Sequence, residues 1–205
     1  YSFYDCTSLI SVTISDGVTS IGDFAFCGCT SLTTITIPDS VTSIGASAFR
    51  ECTSLTTITI PNGITSIADY VFYNCKSLNS VTIPDSVTSI GKNAFCYCED
   101  LTSINIPENV TKIGGGAFAQ STSLKIVEIP DSVTQVGAGA FSGCTSLTTL
   151  KIGKGVTTFT ADLSVTSNIT GLFVSECTSL TEIIVDEANQ TFSSVDGVLF
   201  DKDKT

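Results

Sequence analysis

The sequence predicts a solenoid, one elongated stack of short coils in which each coil packs only on its neighbours. Three observations predict it. The run Leu32-Thr-Thr-Ile35-Thr-Ile37-Pro38-Asp39-Ser-Val41-Thr-Ser-Ile44-Gly45 returns in outline every 23 residues. The same frame opens at Leu9, Leu55, Leu78, Leu101, Leu124 and Leu147, and once more at Leu180 after an insertion. Apolar residues, 42% of the chain, recur at fixed places in that frame, so the core should be a line and not a ball. A fixed period of this length marks units that cannot bury their apolar faces alone. Residues 1–205 are therefore expected to form a single repeat domain of about eight units. It should be incomplete at both ends. Phe3 precedes Cys6 as Phe26 precedes Cys29, like the tail of an earlier unit, and the run from Phe192 to Phe200 reads as a variant unit without a cap. A piece of a longer protein is the expectation.

Within one unit the elements follow in order. Leu32 to Ile37 alternates apolar and polar over a β-branched stretch, which is a half-buried strand. Ile35 and Ile37 should point inward, and Thr34 and Thr36 outward. Pro38-Asp39 supplies turn chemistry. Val41 and Ile44 give a second, shorter inward-facing element. Gly45 is placed where a backbone conformation that other residues resist would be useful. Ala48, Phe49 and Cys52 should lie on the far side, in a helical turn or irregular loop, with Phe49 the bulkiest core residue of its coil. Stacking brings equivalent strands side by side at about 4.8 Å as a parallel sheet. The phenylalanine side is wider than the strand side, so the stack should curve with the sheet on its concave face.

Motifs such as Leu55-Thr-Thr-Ile58-Thr-Ile60-Pro61 and Ile90-Gly91-Lys-Asn-Ala94-Phe95-Cys-Tyr-Cys98 resemble the leucine-rich repeat family. More narrowly they resemble its 23-residue BspA-like (Treponema pallidum) subclass, over nearly the whole chain. The resemblance implies a leucine-rich repeat solenoid, a right-handed β/α-type horseshoe that is mostly β with short helical turns. It implies an extracellular or cell-surface protein of bacteria or protists, linked with adhesion and protein binding. It implies no catalytic residues.

Composition excludes several function classes. The net charge is −11, and only nine Lys and Arg residues are scattered along the chain. A nucleic-acid surface needs clustered cations, and an anionic membrane surface is disfavoured by the same sign. No apolar run approaches the roughly 20 residues of a membrane helix. The chain has no His, so the commonest general base and neutral metal ligand are absent. No activated-nucleophile motif or phosphate loop is present. We therefore expect no enzyme activity, no cofactor and no metal.

Four features are candidates for function. The outward strand positions are near-uniform hydroxyls early on, as in Thr34/Thr36 and Thr57/Thr59, and diversify to Ile126/Glu128, Thr149/Lys151 and Glu182/Ile184. Isoleucines on an otherwise polar sheet mark this half as the expected binding face, although threonine also simply suits a pleated surface. The second feature is the insertion near residues 160–171, where Cys144 to Cys177 spans 33 residues instead of 23. Solenoid insertions map to loops on one face, which makes Asp162 and Asn168 candidates. Asn168-Ile-Thr is also a glycosylation pattern, as are Asn109-Val-Thr and Asn189-Gln-Thr. Third, Cys6, Cys29, Cys52, Cys75 and Cys98 keep the period, Ser121 interrupts it and Cys144 resumes. That column reads as small buried side chains. Fourth, the acidic column Asp16, Asp39, Asp85, Glu108 and Asp131 could bind a divalent cation, or be solvated turn residues.

The expected function is non-catalytic, adhesin-like binding of a protein or glycan ligand on a host or neighbouring cell surface. The alternative is a structural spacer, favoured by the near-identical early units. A lesser alternative is a water- or ice-ordering threonine face.

Overall fold

The computed structural model describes residues 1–160 and 173–202. It is a parallel-strand solenoid of about six turns with essentially no helix among the described residues. The longer strands line up in one row: β1 (Ser11–Thr13), β3 (Thr34–Thr36), β5 (Thr57–Thr59), β7 (Ser80–Thr82), β10 (Ile126–Ile129), β12 (Thr149–Ile152) and β14 (Glu182–Val185). A second row carries β2 (Ser20–Ile21), β4 (Ser43–Ile44), β6 (Ser66–Ile67), β8 (Ser89–Ile90), β9 (Lys112–Ile113), β11 (Gln135–Val136) and β13 (Thr158–Phe159). Pairing in both rows is parallel and steps by the sequence period, as in Val12↔Ile35 and Ile67↔Ile90. Residues 103–105 leave the long ladder, and the long row falls into the sheets β1–β3, β5–β7 and β10–β12–β14, the second row into β2–β4 and β6–β8–β9–β11–β13. Ile35 is buried between exposed Thr34 and Thr36, as the alternation demands.

The far side is made of consecutive β-turns. Ala25 donates to Gly22, Cys27 to Phe24 and Cys29 to Phe26, and the next coil repeats the series. Three further amides per coil reach forward: Phe24 donates to Ala46, Phe26 to Ala48 and Gly28 to Arg50, at 2.8–3.0 Å. These bonds impose two columns of left-handed backbone. Phe24, Ser47, Tyr70, Asn93, Gly116 and Gly139 have φ between 52° and 64°. Asp5, Gly28, Glu51, Asn74, Tyr97, Gln120, Gly143 and Glu176 have φ between 54° and 76°. A non-glycine residue pays roughly 1–2 kcal/mol there, against about 1 kcal/mol net per hydrogen bond made. Gly45 is not in either column. Glycine there permits close approach, since a Cβ would meet the Asp23 amide nitrogen at 2.5 Å unless the neighbouring coil shifts. Ala68 stands in the same register, so one methyl group can be accommodated.

The core is continuous from Ile21 to Leu199. Its spine is a column of rings, Phe3, Phe26, Phe49, Phe72, Phe95, Phe118 and Phe141, with centroids 5.1–5.6 Å apart. That spacing exceeds the roughly 4.8 Å between strands, which bends the stack with the longer strands on the inside. After the insertion, Phe173 takes the place of the alanine before the ring column: its carbonyl accepts from Phe141 at 2.8 Å, and it stacks on Phe159 at 4.2 Å.

The cysteine column is more than small filler. Cys29, Cys52, Cys75, Cys98, Cys144 and Cys177 each donate S–H to a phenylalanine carbonyl of the preceding coil, at 3.1–3.4 Å. Ser121 makes the same bond to Phe95 at 3.0 Å. All nine thiols are free. Burial pushes those of Cys29 and Cys96 up to about 11 and that of Cys144 up to about 12.

The C-terminal end differs from expectation. Phe192–Val195 and Val198–Asp201 form an antiparallel hairpin, β15–β16, turning through Asp196 and Gly197 at positive φ. Phe192 and Leu199 are buried in the common core, and Phe192 lies 4.9 Å from Phe159. Buried Asn189 donates to the Gly153 and Val156 carbonyls at 3.0 and 3.1 Å, and its side-chain oxygen accepts from Thr191 and Phe192. The hairpin thus packs on the common core beside β14.

Candidate binding surface

Strands β10, β12 and β14 are longer than the early ones, four residues against three. Their inward residues, Val127, Leu150 and Ile183 and then Ile129, Ile152 and Val185, are buried and hold the sheet flat against the core. Alternation then fixes what faces out. The register pairs Ile126 with Thr149 and Thr149 with Glu182, and pairs Glu128 with Lys151 and Lys151 with Ile184. All six residues singled out from the sequence therefore stand together, as two rows of three across neighbouring strands. Asp162 and Asn168 lie outside the described residues.

The rows combine different chemistries. Ile126 is 53% exposed and Ile184 38% exposed. Between them Lys151 donates to the Glu128 carboxylate. Both partners are exposed, and such pairs are worth about 0–1 kcal/mol. Below them a shallow depression of about 340 Å³ is bounded by Glu108, Glu128, Asp131, Lys151, Ile184 and Asp186. At its rim Asp131 accepts from the Lys154 ammonium at 2.9 Å and from the Lys154 amide at 3.0 Å. Those bonds hold the Asp131 carboxyl below the usual carboxylate range and raise the Lys154 ammonium. Asp186 was missed in the sequence, because it stands in the column that Pro130 and Gly153 occupy, one place before the acidic column. The donor set supports ion pairing, hydrogen bonding and apolar contact. It holds no nucleophile beside a base, and among the described residues no three acidic or thiol groups converge as metal ligands would.

The opposite, turn-bearing face also gathers side chains that sequence periodicity did not reveal. Tyr70, Tyr73 and Tyr97 lie ring to ring across neighbouring coils, with Arg50 over Tyr73. These residues break the repeat pattern.

Comparison with known proteins places these surfaces in context. The family model for the BspA type leucine-rich repeat region matches in six copies, over residues 1–125 and 65–195. The search of curated proteins finds no match. Among solved structures, a leucine-rich repeat protein from Bacteroides ovatus is 35% identical with a TM-score of 0.76, over 86% of this chain and 45% of that one. The leucine-rich repeat protein of T. pallidum is 30% identical with a TM-score of 0.70, over 83% of this chain and 78% of that one. A leucine-rich cell surface protein from Faecalibacterium prausnitzii is 30% identical with a TM-score of 0.56, over 90% of this chain and 75% of that one. The chain thus spans less than half the length of the Bacteroides protein.

Proposed function

The chain belongs to the BspA-type leucine-rich repeat family, and we propose that it is a non-catalytic binding module, displayed outside the cell, that takes a protein ligand on a host or neighbouring cell surface. The family and its solenoid fold are typically non-catalytic. The observation that carries the proposal is the pair of exposed isoleucines, Ile126 and Ile184, set beside the Glu128–Lys151 pair on an otherwise polar sheet. Apolar groups rimmed by charge are how recognition surfaces combine affinity with register. The wording "cell surface protein" for the Faecalibacterium relative supports extracellular or cell-surface display. We read residues 1–205 as one repeat domain, which the continuous core supports.

The test is an array of host matrix proteins probed with this chain and with an Ile126→Asp/Lys151→Glu variant. A hit bound by the parent and lost in the folded variant supports the reading. A second reading, a spacer, is favoured by the uniformity of β1, β3, β5 and β7 and gains weight if nothing on the array binds.

A further inference from the structure

All five tyrosines of this chain lie on the turn face or at its N-terminal end, and three of them, Tyr70, Tyr73 and Tyr97, form one patch across adjoining coils. Tyr70 and Tyr73 centroids are 5.8 Å apart and tilted by 55°, and Tyr73 and Tyr97 are 5.7 Å apart and nearly perpendicular at 75°. The Arg50 guanidinium sits 5.0 Å over the Tyr73 ring. None of the hydrogen bonds among the described residues ends on one of these three phenol hydroxyls. Tyr97 is 38% exposed.

Two of the three rings stand at the left-handed positions that recur in every coil. Tyr70 has φ 57° and Tyr97 φ 61°. Other coils fill those two columns with Gly, Asn, Ser, Gln, Glu and Asp, and once, at Phe24, with another aromatic ring. The forward-reaching amides of Tyr70 and Tyr97, to Lys92 and Ala119 at 2.8 Å, hold the backbone there and fix where the two rings project. The core does not need these rings, since the Phe72 and Phe95 spine runs beneath them.

Charge narrows the ligand. The chain carries −11 overall, yet charges of both signs lie together at the patch: Arg50 with Glu51 at 3.0 Å, Lys76 with Glu99 at 2.9 Å, and Asp69 accepting from the Lys92 amide. A locally neutral aromatic surface flanked by the amides of Asn74 and Asn93 complements an uncharged ligand with apolar faces and hydroxyl edges. A pyranose has that character: its C–H face can lie on a phenol ring while its hydroxyls meet phenol and amide groups. Tyrosine suits this contact because its body is apolar and its tip is wet. The patch is a ridge and not a pocket, which fits an extended chain lying across coils. We infer that Tyr70, Tyr73 and Tyr97 form a binding ridge for a neutral hexose oligosaccharide, on the face opposite the β10–β12–β14 sheet and independent of it.

The experiment titrates maltohexaose, cellohexaose and laminarihexaose, in separate arms, into the protein by calorimetry and tyrosine fluorescence. Tyrosine dominates emission because the chain lacks Trp. At least one sugar should saturate with a Kd of about 1 mM or tighter. Tyr97→Asn with Tyr73→Ala should weaken it about tenfold or more. Asn74 already occupies the Tyr97 column, so the variant should fold, which thermal unfolding checks. Ile126→Asp/Lys151→Glu should leave sugar binding unchanged, which separates this site from the concave one. No saturation by any of the three sugars, unchanged affinity in the folded tyrosine variant, or preferential binding of a lysine-rich peptide would each overturn the inference.

Discussion

Replacing Phe95 by alanine tests the architecture where its energy is concentrated. The ring is fully buried and stacks on Phe72 at 5.3 Å and on Phe118 at 5.4 Å, nearly parallel to the second. Burial and cavity formation alone make a phenylalanine-to-alanine change cost about 3–5 kcal/mol. Each aromatic pair adds about 0.5–1.5 kcal/mol beyond its area, and two are lost. The expected cost is therefore about 4–8 kcal/mol, a large share of the 5–15 kcal/mol that holds an ordinary domain. The loss is local, because coils couple only to their neighbours. Urea unfolding followed by circular dichroism should lose its single transition and resolve into two. Phe3→Ala is the control: its ring is 40% exposed with Phe26 as its one stacking partner, and it should cost roughly 1 kcal/mol. A Phe95→Ala protein that unfolds in one step with less than about 2 kcal/mol lost would refute the stacked-spine account.

Three more outcomes follow from the same geometry. Gln120→Gly should raise stability by about 0.5–1 kcal/mol in thermal unfolding, because φ of 60° costs glutamine more than glycine's flexibility costs; Gln120→Ala, which keeps the strain, should not. Stability should fall as pH rises above about 8.5, because the unfolded chain then releases thiol protons that burial retains in the folded coil. Cys75 lies in that column with its thiol pushed well up, so Cys75→Ser, which mimics Ser121, should flatten the alkaline decline by up to about 1.4 kcal/mol per pH unit. Phe192→Ala should loosen the hairpin and speed amide exchange in β14, while leaving exchange in β3 unchanged.

Much of this fold was legible because its cause is periodic. The inward placement of Ile35 and Ile37, the phenylalanine spine and the strand register all repeat with the 23-residue frame. The six concave residues were legible for the same reason, since register and alternation alone decide their rows. Other features were hidden because their cause lies between coils. Nothing in Phe24 or Tyr70 as residues announces left-handed backbone; the forward-reaching amides impose it. The donor role of the cysteines was hinted at by Ser121, which keeps the hydrogen bond while discarding the sulfur. The hairpin was signalled by Asp196-Gly197 between Phe192 and Phe200, a hairpin turn pair that was read as a variant unit. The tyrosine ridge could not be found by period, because it arises where the period is broken.

The most direct test of the binding account is a paired affinity measurement on the matrix protein the array identifies. Ile126→Asp/Lys151→Glu alters the diversified rows of β10 and β12, and Thr34→Asp/Thr59→Lys alters the uniform rows of β3 and β5. If the C-terminal rows recognise the partner, the first variant should weaken binding by about 30-fold or more, near the 2 kcal/mol of an interface anchor, while the second leaves it within about twofold. Equal affinities for the parent and the first variant, or a loss confined to the second, would contradict the account.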